Sequence, residues 1–252
     1  MIEIDEISKT YGQQKVLDQL SLRIDKGGIV SIIGSNGAGK STLLTIISRM
    51  TKCDFGKISV DGLDIFSTNS SILAKKLSIL RQDNHLSMRL SVRDLISFGR
   101  YPYSKGRLND HDKKYIDSAL RYLDLEALED RFIDELSGGQ RQRAFVAMVV
   151  CQDTDYVLLD EPLNNLDMKH SVAMMKQLRR TADELGKTIL MVMHDINFAS
   201  CYSDRIIALK DGRLCYYGLP SEIITPAVLY DIYGMEIKVE TIAGQKIALY
   251  YQ

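Results

Sequence analysis

The chain has 252 residues, 45% of them hydrophobic, with 32 basic and 33 acidic side chains and a net charge of −1. At roughly 150 residues per domain this allows one or two domains and a core large enough to need no staples. The charge balance argues against nucleic acid as the main partner, because a phosphate backbone is held by a basic excess; the scattered cysteines Cys53, Cys151, Cys201 and Cys215 form no Cys-x-x-Cys pair and read as reduced thiols, not zinc ligands.

The chain opens on Met1-Ile2-Glu3-Ile4-Asp5-Glu6-Ile7, an alternation of apolar and acidic residues that predicts a strand. It has neither the basic start nor the apolar stretch of a signal peptide. No apolar run along the chain approaches the ~20 residues that span a bilayer. A second strand is predicted over Leu20–Ile24. After the turn Lys26-Gly27-Gly28 comes the β-branched run Ile29–Ile33, the pattern of a strand buried on both faces.

The next eight residues, Gly34-Ser35-Asn36-Gly37-Ala38-Gly39-Lys40-Ser41, fit G-x-x-x-x-G-K-[ST] at every defined position. A helix follows from Ser41 to Met50, with Leu43, Leu44, Ile47 and Met50 at helical spacing. Strand, loop and helix in this order make a phosphate cradle. The glycines let backbone N–H groups turn inward and admit close approach. The helix start adds positive potential, Lys40 brings a mobile charge to the outer phosphates, and Ser41 offers an oxygen to magnesium. The ligand predicted for Gly34–Thr42 is ATP with Mg2+. A dinucleotide loop, G-x-G-x-x-G with a later acidic residue, fits poorly.

Lys57–Val60 and the turn Asp61-Gly62 predict an antiparallel piece. From Ser91 to Val150 the patterns are mostly helical. Ser91-Val92-Arg93-Asp94 reads as a capping box variant opening Leu95–Phe98. Helices are predicted over Asp110–Leu123 and Arg141–Val150. Strand patterns resume at Tyr156–Leu159, Thr188–Met193 and Arg205–Leu209, separated by helical Asp167–Leu185 and Asp195–Tyr202. Such alternation implies a parallel sheet with crossovers. The chain therefore reads as one α/β domain, its core split over 1–82 and 151–252 around a helical insertion at 83–150. The 35 residues from Gly218 are too few for a second independent domain.

Two further motifs carry chemistry. Tyr156-Val157-Leu158-Leu159 is an apolar strand that ends in Asp160 and Glu161. Beside a phosphate loop, Asp160 is placed to hold magnesium through water, and Glu161 to act as general base on an attacking water, an effect worth ~100- to 10,000-fold. Leu136-Ser137-Gly138-Gly139-Gln140-Arg141-Gln142-Arg143 puts a serine and two glycines at a helix start, a second anion-binding arrangement.

That last run matches the signature of ATP-binding cassette (ABC) proteins without a mismatch, and the chain resembles this family over nearly its whole length. The resemblance implies a P-loop NTPase core of ABC ATPase type with an antiparallel β subdomain and an inserted helical subdomain. Tyr11 matches the aromatic that stacks on adenine, and Val16 follows as a ribose neighbour. Gln82, in Ile79-Leu80-Arg81-Gln82, matches the glutamine that touches magnesium and senses the membrane partner, with arginine where the family more often has proline. Asn164-Asn165-Leu166-Asp167 matches the loop that crosses a dimer interface, the asparagines replacing the usual Ser-Ala. His194 matches the switch histidine near the γ-phosphate.

The resemblance further implies two copies sandwiching two ATP molecules, with Ser137, Gly138, Gly139 and Gln140 of one completing the site of Lys40 in the other. Lys40, Gln82, Glu161 and His194 would then be catalytic, and Ser41, Gln82 and Asp160 would face the metal. A single cassette with no membrane segment and no coiled-coil insertion points to an importer subunit on the cytoplasmic face of a bacterial membrane. Its implied partners are integral membrane permease subunits and, indirectly, a substrate-binding protein. Residues 97–103, 164–170 and 194–204 look like those of subunits that import iron–siderophore complexes. Cobalamin and haem importers are close relatives, and an exporter cassette or a non-transport regulatory cassette are the alternatives. The aromatics Phe98, Tyr101 and Tyr103 have two readings: a groove for a short helix of a membrane subunit, or packing inside the helical insertion.

Overall fold

The computed structural model describes residues 1–82, 88–164 and 166–250. They form two compact units, Met1–Thr68 with Leu190–Gln252, and Asn69–Ile189. The helical insertion expected at 83–150 falls within the second, although residues 83–87 lie outside the described ones.

In the first unit, β1 (Ile2–Tyr11) and β2 (Gln14–Ile24) make one long antiparallel hairpin, with Ile2 opposite Ile24 and Ile4 opposite Leu22. The sequence pattern stops at Ile7 for a physical reason. Glu6 and Gln19 both take φ of 47°, bulging the strands and breaking the alternation. Each bulged N–H is accepted by a serine hydroxyl of the opposite strand: Glu6 by Ser21 and Gln19 by Ser8, both at 2.9 Å. The strand β3 (Gly28–Ile33) leads through the glycine loop into α1 (Lys40–Ile47). Then β4 (Phe55–Val60) pairs antiparallel with β1 and turns at Asp61-Gly62 into β5 (Leu63–Asp64), so this sheet runs β2-β1-β4-β5.

The second unit opens with the short helix α2 (Ser70–Leu73) and the strand β6 (Leu77–Leu80). The four residues of β6 are too few to show a period, so no strand is expected there. Next come α3 (Val92–Ser97), α4 (Tyr101–Ser104), α5 (Asp110–Tyr122) and α6 (Gly138–Cys151). The capping box expected at Ser91 is formed with Asp94, and Asn109 caps α5 in the same way with Asp112. At the centre of these helices Arg100 is 2% exposed. Its Nε reaches Asp112 at 3.1 Å, its Nη1 reaches the Cys151 carbonyl at 2.9 Å, and its guanidinium lies 4.1 Å from the ring centres of both Tyr103 and Tyr115. A buried charge needs this full set of partners. The fully buried strand β7 (Tyr156–Asp160) pairs parallel with β6, and α7 (Met168–Leu185) follows.

The strand β8 (Thr188–Val192) starts in the second unit and ends in the first. There α8 (Ile196–Tyr202), β9 (Arg205–Lys210) and β10 (Arg213–Gly218) complete the strand order β10-β9-β3-β8, with β9 parallel to β3. The tail is built into this unit as far as Tyr250. It forms α9 (Pro220–Ile223), α10 (Pro226–Tyr233) and the hairpin of β11 (Lys238–Ile242) and β12 (Gln245–Leu249). The hairpin is clasped to α8: the Asn197 amide donates to the Ala248 carbonyl at 3.2 Å and accepts from the Ala248 N–H at 2.7 Å.

Candidate nucleotide site

In the first unit the loop after β3 is shaped by three glycines at positive φ. At Gly34, φ is 145°, and a Cβ there would lie 2.2 Å from the Leu209 carbonyl oxygen. Gly37 takes φ of 81°. Gly39 caps α1 in the left-handed region and, being a glycine, offers no side-chain bond to the first turn. The positive potential of a helix start favours an anion there. Lys40 is 5% exposed, and its Nζ donates to the carbonyls of Gly34 at 2.8 Å and Ser35 at 2.9 Å. The Ala38 N–H closes a turn onto the Ser35 carbonyl at 3.2 Å. Asn36 and Gly37 form the exposed rim, while Ser35, Ser41 and Thr42 are half-buried.

Tyr11 ends β1 with its ring 49% exposed, and Lys9 Nζ lies 5.3 Å from the ring centre. Val16 is half-buried on β2, and its carbonyl oxygen would lie 2.8 Å from a Cβ on Gly39, so β2 runs directly under the loop. His194 is exposed just past β8. The preceding Met193 N–H bonds to the Ile32 carbonyl at 3.0 Å, which places His194 beside the end of β3. Asp195 then caps α8 by accepting from Asn197 and Phe198. One residue sequence reasoning missed is Tyr233, whose phenol oxygen accepts from the Gly34 N–H; burial pushes the phenol up to about 12. A lone aromatic in a tail carries no sequence signal for such a contact.

In the second unit β7 delivers Asp160, 7% exposed, and then Glu161 at φ of 51°. A left-handed glutamate is uncommon and marks a place where the surroundings override local preference. Gln82 is brought to it: Nε2 donates to Glu161 Oε2 at 2.9 Å. The signature run starts α6. Ser137 accepts from the Gln140 N–H at 3.3 Å, and Gln140 Oε1 accepts from the Ser137 N–H at 3.0 Å, with Gly138 exposed between them. The loop 164–167 is described except for Asn165, and Asp167 caps α7. Of the three aromatics, Tyr103 packs on Arg100 and Lys75, while Phe98 and Tyr101 are 47% and 61% exposed.

The donor set foreseen for magnesium is a hydroxyl (Ser41), an amide (Gln82) and a carboxylate (Asp160). These hard oxygens are the kind this cation takes. Among the described residues no cluster of three His, Cys, Asp or Glu side chains has metal-binding geometry.

A family model described as "ABC transporter" matches residues 17–164. The chain is 56% identical to the petrobactin import ATP-binding protein YclP of Bacillus subtilis, over all of both chains. It is 53% identical to the petrobactin import ATP-binding protein FatE of Bacillus anthracis, over 97% of each. Among solved structures it is similar to the ATP-binding cassette MJ0796 in a dimeric post-hydrolysis state bound to ADP and Pi. That match has a TM-score of 0.77 and 28% identity, covering 87% of this chain and 99% of that one.

Proposed function

The chain belongs to the ABC transporter family and is an ATPase, and from that premise we propose that it powers uptake of iron–siderophore complexes through a bacterial membrane permease. The observation that carries the cargo class is full-length identity above one half to proteins named for petrobactin import. No helix among the described residues is long and apolar enough to cross a membrane. In this reading the membrane path belongs to separate permease subunits, with a substrate-binding protein delivering cargo to them and this chain on the cytoplasmic face.

The mechanism we infer assigns each residue a task on ATP. In the loop Gly34–Thr42, N–H groups other than those of Gly34 and Ala38 hold the phosphates together with the Lys40 ammonium. Tyr11 stacks on the adenine, with Val16 beside the ribose. Ser41, Gln82 and Asp160 would hold Mg2+, which neutralises charge on the outer phosphates. Glu161 takes a proton from the attacking water, and His194 donates a hydrogen bond toward the γ-phosphate. Positioning and charge compensation supply most of such catalysis. Ser137, Gly138, Gly139 and Gln140 of a second copy close over the same ATP, so ATP clamps two copies and hydrolysis releases them. In this reading residues 83–150 are the helical subdomain, and the exposed Phe98 and Tyr101 favour a surface that receives the permease.

The test is uptake of radio-iron delivered as a siderophore complex in cells lacking the gene. The wild-type chain restores uptake and Glu161→Gln does not. Restoration by the variant refutes the role of Glu161, and no iron uptake defect in the deletion refutes the cargo.

A further inference from the structure

None of the chemistry above uses His170, in the third position of α7. Its N–H donates to Asp167 Oδ1 at 2.8 Å, and its Nδ1 lies 2.8 Å from the same oxygen. The backbone bond first, then the ring bond, hold the Asp167 carboxyl below its ordinary 3.8. An imidazole tied at its root in this way is fixed in direction. It lies against the start of α6: a Cβ built on Gly139 would sit 3.0 Å from both Cγ and Cδ2 of His170. Gly139 is not among the glycines at positive φ, so its backbone does not require a glycine. Room for the ring does. A second tie runs parallel, from Gln142 Nε2 to the Pro162 carbonyl at 3.1 Å. The first turn of α6 is therefore seated at two points on residues 162–170.

We propose that His170 is a positioning residue for the signature turn. Tethered by Asp167, its ring sets the tilt at which Ser137 and the N–H groups of Gly138 and Gly139 are presented to the ATP of a second copy. The inference rests on the two-copy clamp proposed above. Small misplacement of groups that close over a phosphate is expensive, since such sites depend on supporting contacts to hold them within about 0.5 Å.

The experiment measures ATP-driven dimerisation by sedimentation in the Glu161→Gln protein, expected to hold ATP without turnover, with and without a change at His170. His170→Ala is expected to weaken the dimer by at least about fivefold, the lower end of typical coupling between sites. Binding of a fluorescent ATP analogue to the monomer stays unchanged. His170→Asn, which keeps an amide donor for Asp167, recovers most of the loss. A parent that dimerises with ATP and a His170→Ala protein that dimerises equally well overturn the role of His170 alone. Equal loss of monomer ATP binding and of dimerisation overturns it too, by showing a general structural defect. A parent that stays monomeric at saturating ATP overturns both this role and the clamp.

Discussion

Gly34→Ala tests how the fold builds the phosphate loop. The added Cβ would lie 2.2 Å from the Leu209 carbonyl oxygen, about 1 Å inside the ~3.3 Å at which carbon ordinarily meets such an oxygen. The backbone there has φ of 145°, where a non-glycine residue costs about 1–3 kcal/mol. Overpacking against a backbone atom adds about 1–3 kcal/mol. The two together approach the stability of many domains, so the loop shifts by roughly 1 Å instead, a displacement worth about 100-fold in rate. Steady-state ATP hydrolysis should fall by that order, and the melting temperature should drop. Gly27→Ala is the control, because its φ is 94° but nothing lies within 4 Å of the new methyl. It should lose about 1–2 kcal/mol of stability, the cost of a side chain in the left-handed region, and keep its activity. Wild-type turnover and melting in Gly34→Ala would refute the reasoning.

Asp112→Asn leaves the Arg100 guanidinium buried without its carboxylate and should destabilise the chain by about 3 kcal/mol at neutral pH in urea unfolding. Burial pushes the Asp112 carboxyl up, but the Asn109 N–H and Arg100 outweigh it and hold the group below 3.8. With the folded value below the unfolded one, this stabilisation is complete above about pH 4 and lost as pH falls through the folded value. The gap between wild type and variant should therefore shrink in acid, and a gap constant down to about pH 3 contradicts the assignment. Tyr11→Ala should weaken ATP binding about fivefold or more, with Tyr11→Phe near wild type, since base stacking on an aromatic is worth about 1–3 kcal/mol; titration of a fluorescent nucleotide decides it. Asn197→Ala removes both bonds to Ala248 and leaves its backbone groups unsatisfied, a loss of about 1–3 kcal/mol. Faster amide exchange at Gln245–Leu249 relative to the rest of the first unit is the expected sign.

Much of this was legible in the sequence because the signals are local. The run Ile29–Ile33, the glycine loop and the spacing of Leu43, Leu44 and Ile47 specify a strand, turn and helix within twenty residues, and Ser91 with Asp94 announces its own cap. The apolar Tyr156–Leu159 ending in two acids is equally self-contained. What escaped is non-local. The paired bulges at Glu6 and Gln19 exist because serines across the hairpin accept their N–H groups, and no pattern within one strand encodes that. The tail from Gly218 reads only as too short for a second domain, yet Asn197 holds its hairpin and Tyr233 reaches Gly34. In sequence, Gly139 reads as a glycine for phosphate alone, whereas the structure also places His170 against it. Partnerships at long sequence separation leave no period to detect.

The central claim is that ATP clamps two copies of this chain, with hydrolysis at Glu161 letting them part. The most direct measurement is sedimentation of Glu161→Gln with magnesium and either ATP or ADP. A dimer with ATP and a monomer with ADP is the predicted result. A monomer in both nucleotides, or a dimer in both, would contradict it.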